Sequence, residues 1–222
     1  MAASDPADQY FPKRAQMVEV QIRQRGIRSG SVLDAMRRVP RHLFVPPGYE
    51  QEAYEDHPIP IGEGQTISQP YVVAAMTEAL ALQPRDIVLE VGTGSGYQTA
   101  VLAELVARVV SVERIAILAE RASAVLRNAG YRNVSVVVGD GSEGYPDAAP
   151  FDAILVTAAA PEPPPPLFEQ LREAGRLIVP VGAAAAQQLQ LVRKLDGRPH
   201  TTLLDLVRFV PLIGSRGYPE GW

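Results

Sequence analysis

From Asp86 onward the chain alternates short β-branched runs with segments of helical period, and this alternation restricts the fold more than any other feature of the sequence. The runs are IVLEV from Ile87, RVVSVE from Arg108, VSVVV from Val134, DAILVT from Asp152, RLIVPV from Arg176, LQLVRK from Leu189 and LLDLVRFV from Leu203. Helical segments start at Tyr97 and run from about Ile115 to Ala129. Parallel strands need crossover connections, usually helices, so the pattern predicts an α/β fold with a largely parallel sheet and helices on both faces. The last two runs follow each other with only a turn between, through Asp196-Gly197, a hairpin signal that places an antiparallel edge at the C-terminal side. Upstream, Phe11, Ala15, Val18 and Ile22 recur at helical spacing, as do Val32, Met36 and Val39, and then Val73, Met76, Thr77 and Leu80. These stripes predict an N-terminal helical cap, with a Pro/Gly-rich connector between the second and third. At 222 residues the chain is short for two independent cores. Residues 1–84 therefore read as a cap with a loop and 85–222 as the sheet core, together one compact unit.

Composition removes several classes of function. There is no cysteine, and His42, His57 and His200 are the whole histidine complement, so a catalytic transition metal is not expected. A net charge of −4 gives no basic footprint for nucleic acid. No apolar run is long enough to span a bilayer, and the stretch MAASDPADQYFPKR has no apolar centre like that of a secretory signal. The expectation is a cytoplasmic monomer that binds neither membrane nor nucleic acid.

The turn after IVLEV carries the chemistry. Gly92, Gly94 and Gly96 follow a buried strand and open the helix at Tyr97, where absent side chains let backbone approach a ligand and free N–H groups face it. A nicotinamide or flavin fingerprint needs glycine at position 97, and Tyr97 stands there instead. Glu113 ends the next strand, where its carboxylate could accept two ribose hydroxyls or simply be solvated. Asp140, between Gly139 and Gly141, ends the third, either as an Asp-Gly turn or as the acceptor for an adenine amine. Ligands in such sheets bind at the carboxyl ends of strands, and all three features fall there. The spacing Glu90-x-Gly92-x-Gly94-x-Gly96 resembles the cofactor loop of class I methyltransferases, Rossmann-like enzymes that use S-adenosylmethionine. That resemblance implies that Glu90 lies near the methionine ammonium and that the glycines leave room for the cofactor.

Which methyltransferase follows partly from absences. The place after the fourth strand reads Thr157-Ala158-Ala159-Ala160 rather than the Asn/Asp-Pro-Pro-aromatic signature of base N-methylation, and a cytosine C5 enzyme needs a cysteine. The remaining class has a nucleophile that needs little activation, such as a carboxylate. The stretches AMRRVPRHLFVP from Ala35, AYEDHPIPIGEGQTISQPYVVAAMTEAL from Ala53, VLEVGTGSGYQTAVLAELV from Val88, GDGSEGYP from Gly139, LREAGRLIVPVG from Leu171 and VRFVPL from Val207 resemble the protein-L-isoaspartate O-methyltransferase family. That family methylates the free carboxylate of L-isoaspartyl, and less well D-aspartyl, residues in damaged proteins, leaving S-adenosylhomocysteine; the ester then closes to a succinimide.

The resemblance places the active-site serine on Ser68, within Gly64-Gln65-Thr66-Ile67-Ser68-Gln69-Pro70. A helix cap is the competing role, although Pro70 at the first helical position would make Gln69 the cap. Thr66, Ile67 and Gln69 are expected to line the same loop and close on the cofactor. Tyr97 would flank the cofactor, and Thr157, Ala158 and Ala159 would flank the substrate backbone, with small residues admitting an extended peptide to main-chain bonding. The PEPPPP segment after Ala160, expected as a stiff loop, and the GYPEGW tail depart from the family pattern. Two alternatives are an enzyme that methylates Asp in one dedicated peptide, and a non-catalytic S-adenosylmethionine sensor; the latter has no reason to keep TISQP.

Overall fold

The computed structural model describes residues 9–183 and 186–221. Residues 1–8, which include part of MAASDPADQYFPKR, and Trp222 of the GYPEGW tail lie outside that description. A short antiparallel hairpin, β1 (Ile59–Gly62) and β2 (Gln65–Ile67), stands apart from a seven-stranded sheet. The sheet strands are β3 (Ile87–Val91), β4 (Arg108–Glu113), β5 (Val134–Val138), β6 (Phe151–Val156), β7 (Leu171–Val181), β8 (Gln187–Leu195) and β9 (Arg198–Val207). Their order is β5-β4-β3-β6-β7-β8-β9. Pairing is parallel from β5 through β7, while β8 and β9 add antiparallel, as the Asp196-Gly197 turn predicts. The chain winds outward from β3 through β4 to β5 and then returns to the other side of β3 with β6. That reversal opens a crevice at the carboxyl ends of β3 and β6.

The inner strands are covered on both sides, which is why they read as continuous apolar runs. Val88, Val109, Ala153, Leu155 and Ile178 share a buried cluster with α3 (Pro70–Ala79) and α4 (Tyr97–Ala103). Leu89, Val91, Val110, Val112, Ile154 and Val156 pack on the other face with Leu167 of α6 (Pro165–Glu169). Each such fully buried side chain contributes about 1.5–3 kcal/mol. On the cap side, α1 (Phe11–Gln16) runs on into a wider helical turn over Met17–Arg23. Ser29 then caps α2 (Gly30–Arg38), its hydroxyl accepting from the Val32 amide. Met17, Ile22 and Met36 share one cluster with Tyr97 and Ala100 of α4 and with Leu118 and Leu126 of α5 (Ala116–Asn128), so apolar packing crosses the 84/85 boundary.

Several expectations are corrected. Phe11 heads the first apolar stripe yet is half exposed. The proline segment is not all loop, because Pro165 starts α6; the fixed φ of proline suits a first helical position. The last strand begins at Arg198 rather than Leu203 and ends at Val207. It is the sheet edge, exposed along most of its length, so no apolar pattern marks its start.

Candidate functional site

A cavity sits in the crevice at the carboxyl ends of β3, β4 and β6. Its floor includes Gly92, Gly94, Tyr97, Glu113 and Gly141, one side is Thr157 and Ala158, and Thr66, Ile67 and Ser68 close it from the cap. The hairpin delivers that last group. In β2, Ile67 turns into the core while Thr66 faces outward, and the chain then passes Ser68 before α3 starts at Pro70. Gln69 is the cap residue of α3, and no side chain caps it, so the Ser68 hydroxyl is not spent on helix capping. The sequence reading missed Val210, Pro211, Leu212 and Ile213, which complete the wall. They are held by the pairing of Ala159 with Pro211, a tertiary contact with no local signal.

The glycine loop differs in detail from its expected role. A side chain on Gly92 would place Cβ 2.3 Å from Thr157 Oγ1, and at Gly96 the space is filled by Ala122 and Leu126 at 3.3 Å. At these two positions the missing side chain makes room for the protein's own packing rather than for a ligand. Thr157 Oγ1 lies 2.9 Å from the Val91 carbonyl and 2.6 Å from that of Gly92, stitching β6 to the loop.

The carboxylates separate into three situations. Glu113 is on the cavity wall and only 5% exposed; Oε2 accepts from the Gly94 amide at 2.9 Å and Oε1 from the Ile115 amide at 2.9 Å. Each oxygen keeps a further acceptor position, so the group holds the loop and can still take two hydroxyls. Glu90 does not line the cavity. It is fully buried beneath the loop, and Thr99 Oγ1 and Ser111 Oγ both donate to its Oε2 at 2.5 Å, while Oε1 has no partner among the described residues. Desolvation raises its pKa to about 8 despite those two donors, and Glu113 pushes the same way. Burial thus favours the neutral form of Glu90, which lies beneath the loop and not on the cavity wall, where the expectation placed it against an ammonium. Asp140 also faces away from the cavity. Its Oδ1 accepts from Ser142 N and Oγ at 2.9 and 2.6 Å, and its Oδ2 from Ser215 N and Oγ at 2.7 and 2.9 Å. Desolvation opposes its ionisation, but these hydrogen bonds prevail and hold the pKa below the usual value. Asp140 shapes the turn that presents Gly141, and it lines a smaller hollow beside the cavity that shares Arg114 and Ile213 with it.

A second, larger groove of about 1160 Å³ runs beside the cavity. Thr66, Ser68, Thr157, Val210 and Pro211 line both spaces. Gln69 faces this groove instead of the cavity and donates to the Asp56 carbonyl at 3.2 Å, a correction to its expected cofactor role. Ala159 borders the groove, but its amide bonds the Val210 carbonyl at 2.8 Å and its carbonyl accepts from Leu212 at 2.7 Å. The protein's own pairing thus takes up the Ala159 amide and leaves only a second acceptor position on its carbonyl for the expected main-chain bonding of a peptide. The groove's apolar surface comes from Tyr71, Val72 and Ala75 on α3 and from Leu206 and Phe209 opposite.

The model of the protein-L-isoaspartate(D-aspartate) O-methyltransferase family matches residues 12–217. The chain belongs to that family. It is 58% identical over 212 residues to a protein-L-isoaspartate O-methyltransferase of Methanoculleus marisnigri, covering 96% of each chain, and 55% identical over 218 residues to that of Koribacter versatilis, covering 98% of each. A solved protein-L-isoaspartate O-methyltransferase superposes with a TM-score of 0.84 at 32% identity, over 92% of this chain and 67% of that one. A putative one from Plasmodium falciparum, in complex with S-adenosyl-L-homocysteine, gives a TM-score of 0.80 at 27% identity over 90% and 98%. The fold is accordingly the class I, Rossmann-like one, with the antiparallel C-terminal edge and the helical cap expected from the sequence. Among the described residues no helix is long and apolar enough to cross a membrane.

Proposed function

We propose that this chain transfers a methyl group from S-adenosylmethionine to the free carboxylate of L-isoaspartyl, and of D-aspartyl, residues in damaged peptides and proteins, initiating repair through a succinimide. The observation that carries the reading is that the cavity at the strand ends and the larger groove beside it share the Ser68 wall. One space suits a small cofactor and the other an extended peptide.

The cavity residues fit the cofactor. Glu113 offers two unused acceptor positions for ribose hydroxyls, Tyr97 and Ile67 give apolar walls, and Gly141 with Leu212 bounds the far side. When bound, S-adenosylmethionine supplies an activated methyl group and leaves as S-adenosylhomocysteine. An isoaspartyl carboxylate has a pKa of about 3.5 and is already the nucleophile at neutral pH, so the protein needs no general base. Its work is to place one oxygen and exclude water, and the Ser68 hydroxyl, left free by α3, is the donor that aims it. Thr157 and Ala158 bound the opposite side. We also infer action in the cytoplasm as a monomer without nucleic acid, supported by the lack of cysteine and a charge of −4.

Isoaspartyl linkage leaves the carboxylate on a stem one methylene shorter than an Asp side chain. Ordinary Asp must shift its backbone in the groove to reach the same point, losing hydrogen bonds of about 1 kcal/mol each, for discrimination on the order of a hundredfold. The test is radiolabelled methyl transfer to one peptide in isoAsp and Asp forms. Label on the isoAsp form alone supports the reading; equal label on both overturns it.

A further inference from the structure

Arg41 opens a single helical turn, Arg41–Phe44, after α2, and it is completely buried. Among the described residues no carboxylate pairs with it. Its Nε donates to the Ala53 carbonyl at 2.7 Å, its Nη2 to the Ser68 carbonyl at 2.8 Å, and its guanidinium lies 4.6 Å from the centroid of the Tyr97 ring. Among the described residues Nη1 has no hydrogen-bond partner. A buried cation without a counter-charge is costly, and an apolar residue of similar volume would fill the same space more cheaply. The position is therefore explained by what the fork holds. The Ser68 carbonyl receives no bond from α3, whose first backbone bond runs from Val73 to the Gln69 carbonyl. Arg41 fixes that carbonyl, and through its flat face it rests on Tyr97, which walls the cofactor cavity and starts α4.

We propose that Arg41 is a positioning residue for methyl transfer, holding the Ser68 backbone against the Tyr97 ring so that the Ser68 hydroxyl points at the carboxylate. The inference rests on the role given to Ser68 under Proposed function. Arginine is required here for its geometry, since two carbonyls and a ring face are met by one rigid plane; lysine keeps the charge but not the fork.

The test is a double-mutant cycle with Arg41→Lys and Ser68→Ala, measuring kcat with both substrates saturating, Kd for S-adenosylhomocysteine, and melting temperature. Arg41→Lys should lower kcat roughly ten- to a hundredfold, the scale of a small misplacement of reacting groups, with Kd within about twofold. In the Ser68→Ala background the same change should cost less than about twofold, because there is no hydroxyl left to aim. A residue that only supports the fold would lower the melting temperature and leave kcat per cofactor-binding site intact, or would act additively with Ser68→Ala; either result overturns the proposal. If Ser68→Ala alone leaves kcat unchanged, the Ser68 reading fails and this one with it; an impaired Ser68→Ala beside a normal Arg41→Lys rejects the Arg41 role alone. Should Arg41→Lys not fold, Arg41→Gln, which buries no charge and keeps an amide donor, enters the same cycle with the same expected coupling.

Discussion

Glu90 and Glu113 lie near the carboxyl ends of adjacent strands, yet the structure gives them opposite work. Glu113 meets the cavity through two oxygens that each hold one backbone amide. Glu113→Ala should weaken S-adenosylmethionine binding by about 1.5–3 kcal/mol, the scale of hydrogen bonds to a charged group, measured by calorimetry; unchanged affinity rejects the ribose role. Glu90 is the reverse case, buried with one oxygen bonded twice and the other unpartnered. Its pKa lies near 4.5 unfolded and about 8 folded, so between those values the folded chain binds more protons than the unfolded one. Stability from this group is fully present below the lower value and is lost as pH rises through the upper. Glu90→Gln keeps the shape without the titration, so its melting temperature should fall less than the wild type's between about pH 5 and about pH 9. Parallel curves for the two proteins would mean that Glu90 ionises normally inside the fold.

At the scale of elements, the loop from β3 to α4 shows how tightly backbone and neighbours are fitted. Gly92 has φ +94 and a Cβ there would meet Thr157 Oγ1 at 2.3 Å, so Gly92→Ala should cost roughly 2–5 kcal/mol from left-handed strain plus overpacking. Gly94 has φ +53 with its nearest neighbour, Ile61 Cδ1, at 3.6 Å, so Gly94→Ala should cost only about 1–2 kcal/mol. Urea midpoints of the two variants check the order, and equal losses would contradict the packing account. Strands buried on both faces were legible because burial imposes an apolar run on the sequence, as in β3, β4 and β6. The hairpin β1–β2 and the start of the edge strand β9 were not: the first is four and three residues long, and the second lies mostly in solvent. Around the cavity, the place of Glu113 on the wall was legible from its position at a strand end, and that of Ser68 through the family resemblance. The orientation of Asp140 was not, because Ser215, seventy-five residues on, occupies its carboxylate. Arg41 gave no signal either, since arginine in a sequence reads as surface.

For the molecule as a whole, the decisive fact is that the cavity at the strand ends has no single owner. Ile67 and Val73 come from the cap, Gly92 and Glu113 from the sheet, and Leu212 and Ile213 from the C-terminal segment. The apolar cluster beneath it likewise joins Met17 and Met36 to Tyr97 and Leu126. A cap that unfolded independently would remove both the roof of the cavity and one side of that cluster. We therefore expect residues 1–84 and 85–222 to melt as one cooperative unit, with a single calorimetric transition whose van't Hoff and calorimetric enthalpies agree. S-adenosylhomocysteine at about a hundred times its Kd should stabilise that unit by about 2.7 kcal/mol, which for a chain of this length moves the whole transition up by roughly 5–11 °C. Two transitions, with only the upper one displaced by ligand, would show that the cap folds apart from the sheet. In that case Ser68 and Arg41, which both belong to the cap, would be brought to the cofactor by docking rather than by a shared core.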